Sequence, residues 1–381
     1  MKLSLISTTI LLSTLPTSLV FAAGLDRSGQ SISAFLQPGN YAEAGISVLD
    51  PTVKGTDRAG NKVSDMADDY YFPSAAIKVQ ATEQISLGLL YDQPFGADAT
   101  YQLDGSTFAE PVLNEGTQVE VRTHNLTALI GYQPTTNWNI YAGPVWQTVE
   151  ADISLRGNSY GGLTKLGTYN INVDQEEAYG WLVGAAYQIP EIALKAAVTY
   201  RSEIKHKANA IETTKLPSFT GLDYSNAGVT AVTPQSVNID LQSGIAKNTL
   251  AFANLRWVHW DQFTVSPQLL KAVGQDLITY SDDQYSATLG LAHKLNDQWA
   301  ATTTLGYDSG AGNPVTTLGP TEGYWSVGLG GQYSPTQDTF IQAGVKYFWL
   351  GDAVAQTGGQ AVGKFENNYA MGYGLKMGYK F

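Results

Sequence analysis

Tyr369-Ala-Met-Gly-Tyr-Gly-Leu-Lys-Met-Gly-Tyr-Lys-Phe381 closes the chain with a bulky apolar side chain at every odd position and a small or charged one at every even position. Successive side chains of a strand point to opposite faces, so Tyr369, Met371, Tyr373, Leu375, Met377, Tyr379 and Phe381 form one apolar stripe. A run of about 13 residues is long for a strand of a soluble sheet and matches a tilted membrane span. The stretch therefore predicts a transmembrane β-barrel, with the apolar stripe on lipid and the small and charged residues inside.

Composition agrees. The 381 residues include 39 Gly, 22 Tyr and 8 Trp, and only 15% are charged. Mean hydropathy lies slightly below zero. Beyond the N-terminus no apolar run approaches the roughly 18 residues a membrane helix needs, so any span is a strand. The absence of Cys removes disulfides, thiol nucleophiles and thiolate metal sites. A formal charge of -12 argues against nucleic acid, whose phosphates call for a basic surface.

Met1 to Ala22 has the form of a secretory signal peptide: Lys2, an apolar run from Leu11 to Phe21, and small residues at the cut ahead of Ala23. Residues 23–39 lack period-two alternation and are expected to tuck into the barrel as a short plug or hatch. From residue 40 to 381 the pattern repeats as alternating segment, tight turn, alternating segment and long polar loop. The clearest hairpin joins Tyr285 to Leu295 and Trp299 to Tyr307 across Asn296-Asp297-Gln298. About 14 antiparallel strands result, an even number as in bacterial barrels.

The long connections, among them Gln93 to Gln118, Ser202 to Ser236 and Asp261 to Gln284, are expected outside the cell. Only Pro267 to Ile278 has a helix-like rhythm, suited to a short helix over the mouth. Val119 to Tyr132 changes its apolar parity, the mark of a bulge or a misplaced boundary.

Parity places Glu43, Lys78, Asp92, Lys195, Arg201, Asp240, Lys346 and Lys376 in the lumen, with Arg256 beside them. Inward polar residues usually pair with one another. The sharper role is to anchor a ligand carboxylate, for which Arg201, Lys195, Arg256 and Lys78 are the candidates. His124, His206, His259 and His293 form no HExxH pair, no nucleophile-base-oxyanion set assembles, and no cofactor is implied, so an enzyme is not expected.

Several segments, in order, resemble the FadL family of outer-membrane long-chain fatty acid transporters: Ala23-Gly24 after the signal cut, Tyr91-Asp-Gln-Pro-Phe-Gly-Ala97, Tyr200-Arg-Ser-Glu-Ile-Lys-His206, Arg256-Trp-Val-His-Trp260 and Leu305-Gly-Tyr-Asp-Ser309. The resemblance implies a monomeric 14-stranded barrel in the bacterial outer membrane. Its lumen is blocked by an N-terminal hatch, and a hydrophobic substrate leaves sideways into the membrane lipid at a kinked third strand. Pro94 and Gly96 are the candidates for that lateral gate, since proline removes a ladder donor and glycine loosens a strand. The family's Asn-Pro-Ala hatch motif is missing, and Leu36-Gln-Pro-Gly-Asn-Tyr41 stands in its place. Terminal Phe381 fits recognition by the barrel-assembly machinery. The expected cargo is a long-chain fatty acid or a similar hydrophobic molecule. The alternatives are aromatic hydrocarbons, a general porin, or a surface protein whose loops bind host or phage.

Overall fold

A computed structural model describes residues 25–215 and 223–381. The signal segment 1–22 lies outside the described residues. Seventeen strands form one antiparallel sheet: β1 (Tyr41–Thr52), β2 (Tyr70–Gln80), β3 (Ile85–Asp92), β4 (Gly96–Thr100), β5 (Gln118–Tyr132), β6 (Trp138–Arg156), β7 (Thr168–Ile189), β8 (Leu194–Arg201), β9 (Ile204–Thr213), β10 (Tyr224–Thr233), β11 (Ser236–Ala246), β12 (Thr249–Val258), β13 (Gln284–Lys294), β14 (Trp299–Asp308), β15 (Tyr324–Tyr333), β16 (Thr339–Leu350) and β17 (Tyr369–Lys380). Three positions in the wall are each shared by two strands in series, β3 with β4, β8 with β9 and β10 with β11, so the barrel has 14 staves. Tyr41↔Lys380 to Thr52↔Tyr369 pairs β1 with β17 and closes it. Closure pairs the first strand with the last, so neither is left as a free edge of the sheet. Among the described residues no helix is long and apolar enough to cross a membrane.

Outward positions are apolar and exposed, including Ile77, Leu89, Ile130, Val198, Leu289 and Leu375. In water that surface would drive aggregation; in lipid it is the contact surface. Aromatic pairs border the apolar band on both sides. Trp138–Tyr187 and Trp299–Tyr333 lie beside the short turns, with centroids 5.0 and 4.8 Å apart. Tyr307–Trp325 and Tyr347–Trp349 lie beside the long loops, at 4.9 and 4.8 Å. Eight residues separate Trp299 from Tyr307, roughly 26 Å along a strand and close to an apolar band's height once tilt is included. The turns on the first side are short, and Asn248 takes the left-handed conformation there at φ 59.

Two expectations change. Most of Ser202 to Ser236 is not loop: β9 and β10 continue the staves of β8 and β11 above the aromatic border. Their register runs on, from Arg201↔Ser236 to Ile204↔Thr233. The alternation is present but inverted in character, because outward Lys205 and Lys207 face water while inward Ile204, Ala208 and Ala210 are buried. For the same reason β5 keeps its parity throughout. Its outward residues turn from Ile130 and Leu126 to His124, Arg122 and Glu120 as the strand leaves the apolar band. The irregularity belongs to the neighbouring stave.

Beyond the wall the loops fold into a cap. Five short strands (Gly55–Asp57, Lys62–Val63, Val315–Thr316, Ala353–Thr357, Gln360–Phe365) form its sheet. A single turn of helix, α1 (Gln268–Ala272), lies within the stretch expected to be helical. The largest buried cluster joins cap residues such as Tyr101, Phe108, Trp260 and Phe365 to the upper ends of the staves at Leu49, Ile153 and Phe348.

Candidate functional site: lumen, wall window and outer cleft

Residues 25–40 lie inside the barrel. Ile32, Phe35 and Leu36 pack against inward Leu90, Leu129, Tyr141, Leu182 and Ala186, with the Phe35 and Tyr141 rings edge-on at 5.8 Å. Gly88 makes room for this: a Cβ there would sit 2.4 Å from the Phe35 ring. The small inward residues of the alternating strands are thus the socket for the inserted segment.

The four candidate cations all reach this segment. Lys78 Nζ donates to the Gln37 carbonyl at 2.6 Å, and Lys195 Nζ to the Leu36 carbonyl at 2.7 Å. Arg256 Nε meets Asp26 Oδ2 at 2.7 Å, and its Nη atoms donate to Asn238, Ser236 and Gln30. Three of the four are therefore committed to holding the segment. Arg201 differs: Nη2 donates to the Gln30 carbonyl at 3.1 Å, while Nε and Nη1 are buried without a hydrogen-bond partner. Arg201 lines a cavity of about 90 Å³ between the segment and β1, β2 and β3, with Ser28, Ser31, Ser74, Phe72 and Leu90. Glu43 and Lys376 also line it and pair with each other at 3.0 Å.

Pro94 and Gly96 stand at a break in the third stave. Asp92 pairs with Asn125 and Gly96 with Arg122, so Gln93, Pro94 and Phe95 face only Thr123 and His124 on β5. One residue is extra, as in a bulge, and parity inverts, which brings Ala97 and Ala99 inside. The inserted segment and Thr123 satisfy the displaced backbone. Arg27 N donates to Pro94 O at 2.6 Å, Gly96 N to Leu25 O at 2.8 Å, and the Thr123 hydroxyl bonds both N and O of Phe95.

On its other side the bulge parts the wall. Pairing of β2 with β3 stops at Ala75↔Tyr91 and resumes only at the bridge Ala67↔Ala99. Between these points lies a window about 26 Å long at the usual rise per residue. Tyr70, Phe72, Pro73, Gly96, Ala97 and Thr123 line it around a volume of about 360 Å³. Phe72, Pro73 and Gln93 line both the window and the Arg201 cavity. Tyr70 bridges the window's upper end, bonding the backbone N and O of Asp98, and carries the Arg27 guanidinium 4.8 Å from its ring centre.

In the cap, a cleft of about 490 Å³ is lined by Tyr160, Leu166, Val273 and Val362, with Arg58 and Lys165 at its polar side. None of these, nor Asp26, Gln30 or Tyr70, stood out in the sequence. For Asp26 a signal existed, the acid of Leu25-Asp-Arg27 in an otherwise neutral stretch. The cleft residues come from four separate loops and carry no local pattern.

A closed 14-stave barrel with an apolar outer band, an inserted N-terminal segment and a window in its wall defines a channel of the outer membrane. The sequence matches the family described as outer membrane protein transport protein (OMPP1/FadL/TodX) over residues 28–381, and the chain belongs to that family. Among solved structures it is similar to a Pseudomonas aeruginosa FadL homologue, at 16% identity over 96% of each chain with a TM-score of 0.70. It is also similar to the P. putida toluene transporter TodX, at 15% identity over 91% of each chain and 0.63. The Ralstonia pickettii toluene transporter TbuX aligns at 11% identity over 92% of this chain and 91% of that one, at 0.62. A search of curated protein sequences returns no match.

Proposed function

We propose that the protein takes up long-chain fatty acids, or amphipathic molecules of the same build, across the outer membrane without an energy source of its own. The observation that carries this substrate class is Arg201. Arg201 has Nε and Nη1 buried and unpartnered and lines a cavity that also touches Phe72 and Leu90, a combination suited to a carboxylate attached to an apolar chain once the site opens to it. A neutral hydrocarbon would leave those donors unsatisfied.

In this reading the outer cleft captures the apolar chain and the inserted segment blocks the lumen until it shifts. The window beside Pro94 and Gly96, at the outer border of the apolar band, is the exit toward the lipid. Passing sideways keeps the apolar chain out of the periplasm and needs no chemistry, only a path with apolar surface along it.

A second reading, uptake of monoaromatic hydrocarbons, is favoured by the likeness to the TodX and TbuX toluene transporters. Uptake of radiolabelled palmitate and of toluene, measured in a host lacking its own transporter, separates the two. Saturable palmitate uptake supports the fatty acid. Toluene uptake without palmitate uptake selects the hydrocarbon, and steady conductance of small ions in a planar bilayer selects a porin.

A further inference from the structure

Strand β12 leaves the wall at Val258 and the chain returns at Gln284, so residues 259–283 form one excursion into the cap. At its neck His259 and Asp261, on the outgoing side, meet Asp283 on the returning side. His259 Nδ1 lies 2.9 Å from Asp283 Oδ1 and 3.3 Å from Asp261 Oδ1. One ligand atom from each of the three falls within 4.8 Å of the others. We propose that His259, Asp261 and Asp283 bind a divalent cation of the zinc class, which staples the neck of the excursion.

The donor set is one imidazole nitrogen and two carboxylate oxygens. Bonds of about 2.0–2.2 Å to a tetrahedral ion place its ligand atoms roughly 3.3–3.5 Å apart, close to the two distances from His259 Nδ1, and the three ligand atoms lie within 4.8 Å of one another. Nitrogen in the set selects against calcium and magnesium, which take oxygen ligands. The second oxygen of Asp283 is held by the Trp257 indole N–H at 2.8 Å, the kind of outer contact that orients a metal-binding carboxylate. The His259 ring lies 5.5 Å from the Trp257 ring, and its backbone N–H is tied to Gln235 O. All three side chains keep some solvent exposure, so an ion has a way in.

The position gives the site a consequence. The excursion carries α1, whose Leu269 and Leu270 enter the cap core and whose Gln268 and Leu269 N–H groups bond the buried Glu212 carboxylate. It also supplies Val273 and Gln275 to the wall of the outer cleft. The Val258↔Gln284 pairing already joins the ends of the excursion; a chelate adds a second closure that takes in Asp261 and further reduces the number of conformations open to the loop. The bound cation thus fixes one wall of the cleft.

The test uses the untagged full-length protein in detergent micelles, cleared of metal with EDTA and titrated with ZnCl2 in a calorimeter. One ion per chain is expected, weakened at least about tenfold by His259→Ala and by Asp283→Asn and unaffected by His293→Ala at the opposite end of the barrel. Hydrogen exchange across residues 262–282 should slow on adding ZnCl2 to the wild type and not to His259→Ala. Equal zinc affinity in wild type and His259→Ala, no binding up to millimolar zinc, or exchange in the excursion indifferent to zinc would each overturn the proposal.

Discussion

The Arg256 guanidinium of strand β12 and the Asp26 carboxylate of the inserted segment meet at 2.7 Å, with both side chains almost wholly sealed from solvent. A buried pair is costly to form and more costly to break, because removing one partner leaves an uncompensated charge. The pair therefore holds the inserted segment against the wall, with each charge matched by the other.

Asp26→Asn is expected to destabilise the closed arrangement by about 3–5 kcal/mol, since Arg256 stays buried and charged. The readouts are a lower thermal midpoint for loss of the inserted segment's protection in hydrogen exchange, and raised ion conductance in planar bilayers. Asp26→Leu combined with Arg256→Met should restore most of the protection. A single mutant as tight as wild type would show that the pair does not hold the segment.

Arg201→Met keeps most of the side-chain volume and removes the charge. Loss of a charged hydrogen bond to a ligand carboxylate corresponds to roughly 1.5–3 kcal/mol, or at least about tenfold in affinity. Binding of a long-chain fatty acid should weaken by that factor, while the alcohol of the same chain length binds as before. Equal loss for acid and alcohol would assign Arg201 to holding the segment alone.

Deletion of Pro94 removes the extra residue of the bulge. The pairings Asp92↔Asn125 and Gly96↔Arg122 then fall in one continuous register, and β2 regains a neighbour along the window. The barrel should still assemble, as judged by its heat-modified mobility on gels, and ligand should still bind. Uptake is expected to fall to the level of the empty host. Undiminished uptake would mean that cargo leaves by another route.

Glu322 lies in the loop between β14 and β15, outside the membrane span. Burial raises its carboxyl to about 7, opposed by the Gly312 N–H and assisted by the Asp282 charge. Because the folded cap holds this proton up to a higher pH than the unfolded chain, whose ordinary value is 4.5, its stabilisation is complete below that value and is lost as pH rises through about 7. Protection factors of residues 309–323, taken relative to the intrinsic exchange rate at each pH, should therefore be larger at pH 5 than at pH 8. Glu322→Gln should flatten that dependence. A loop whose protection increased with pH would contradict the sign.

The architecture was legible because alternation is a local signal. Two-residue periodicity and short turns against long loops marked the staves and the faces of their side chains. Pro94 and Gly96 marked the interrupted stave for the same reason, since each acts on the backbone where it stands. The inverted alternation of Ile204 to Glu212 escaped because the environment, water and not lipid, sets which face is polar.

Sequence by itself determined that Lys78, Lys195, Arg201 and Arg256 point inward; it did not determine what they meet. Arg256 and Asp26 are 230 positions apart, and only closure of the barrel around residues 25–40 brings them together. That insertion commits three cations to the segment and leaves Arg201 with donors to spare. The direction of a side chain follows from its own strand, whereas its partner depends on long-range packing, and so on the tertiary structure alone.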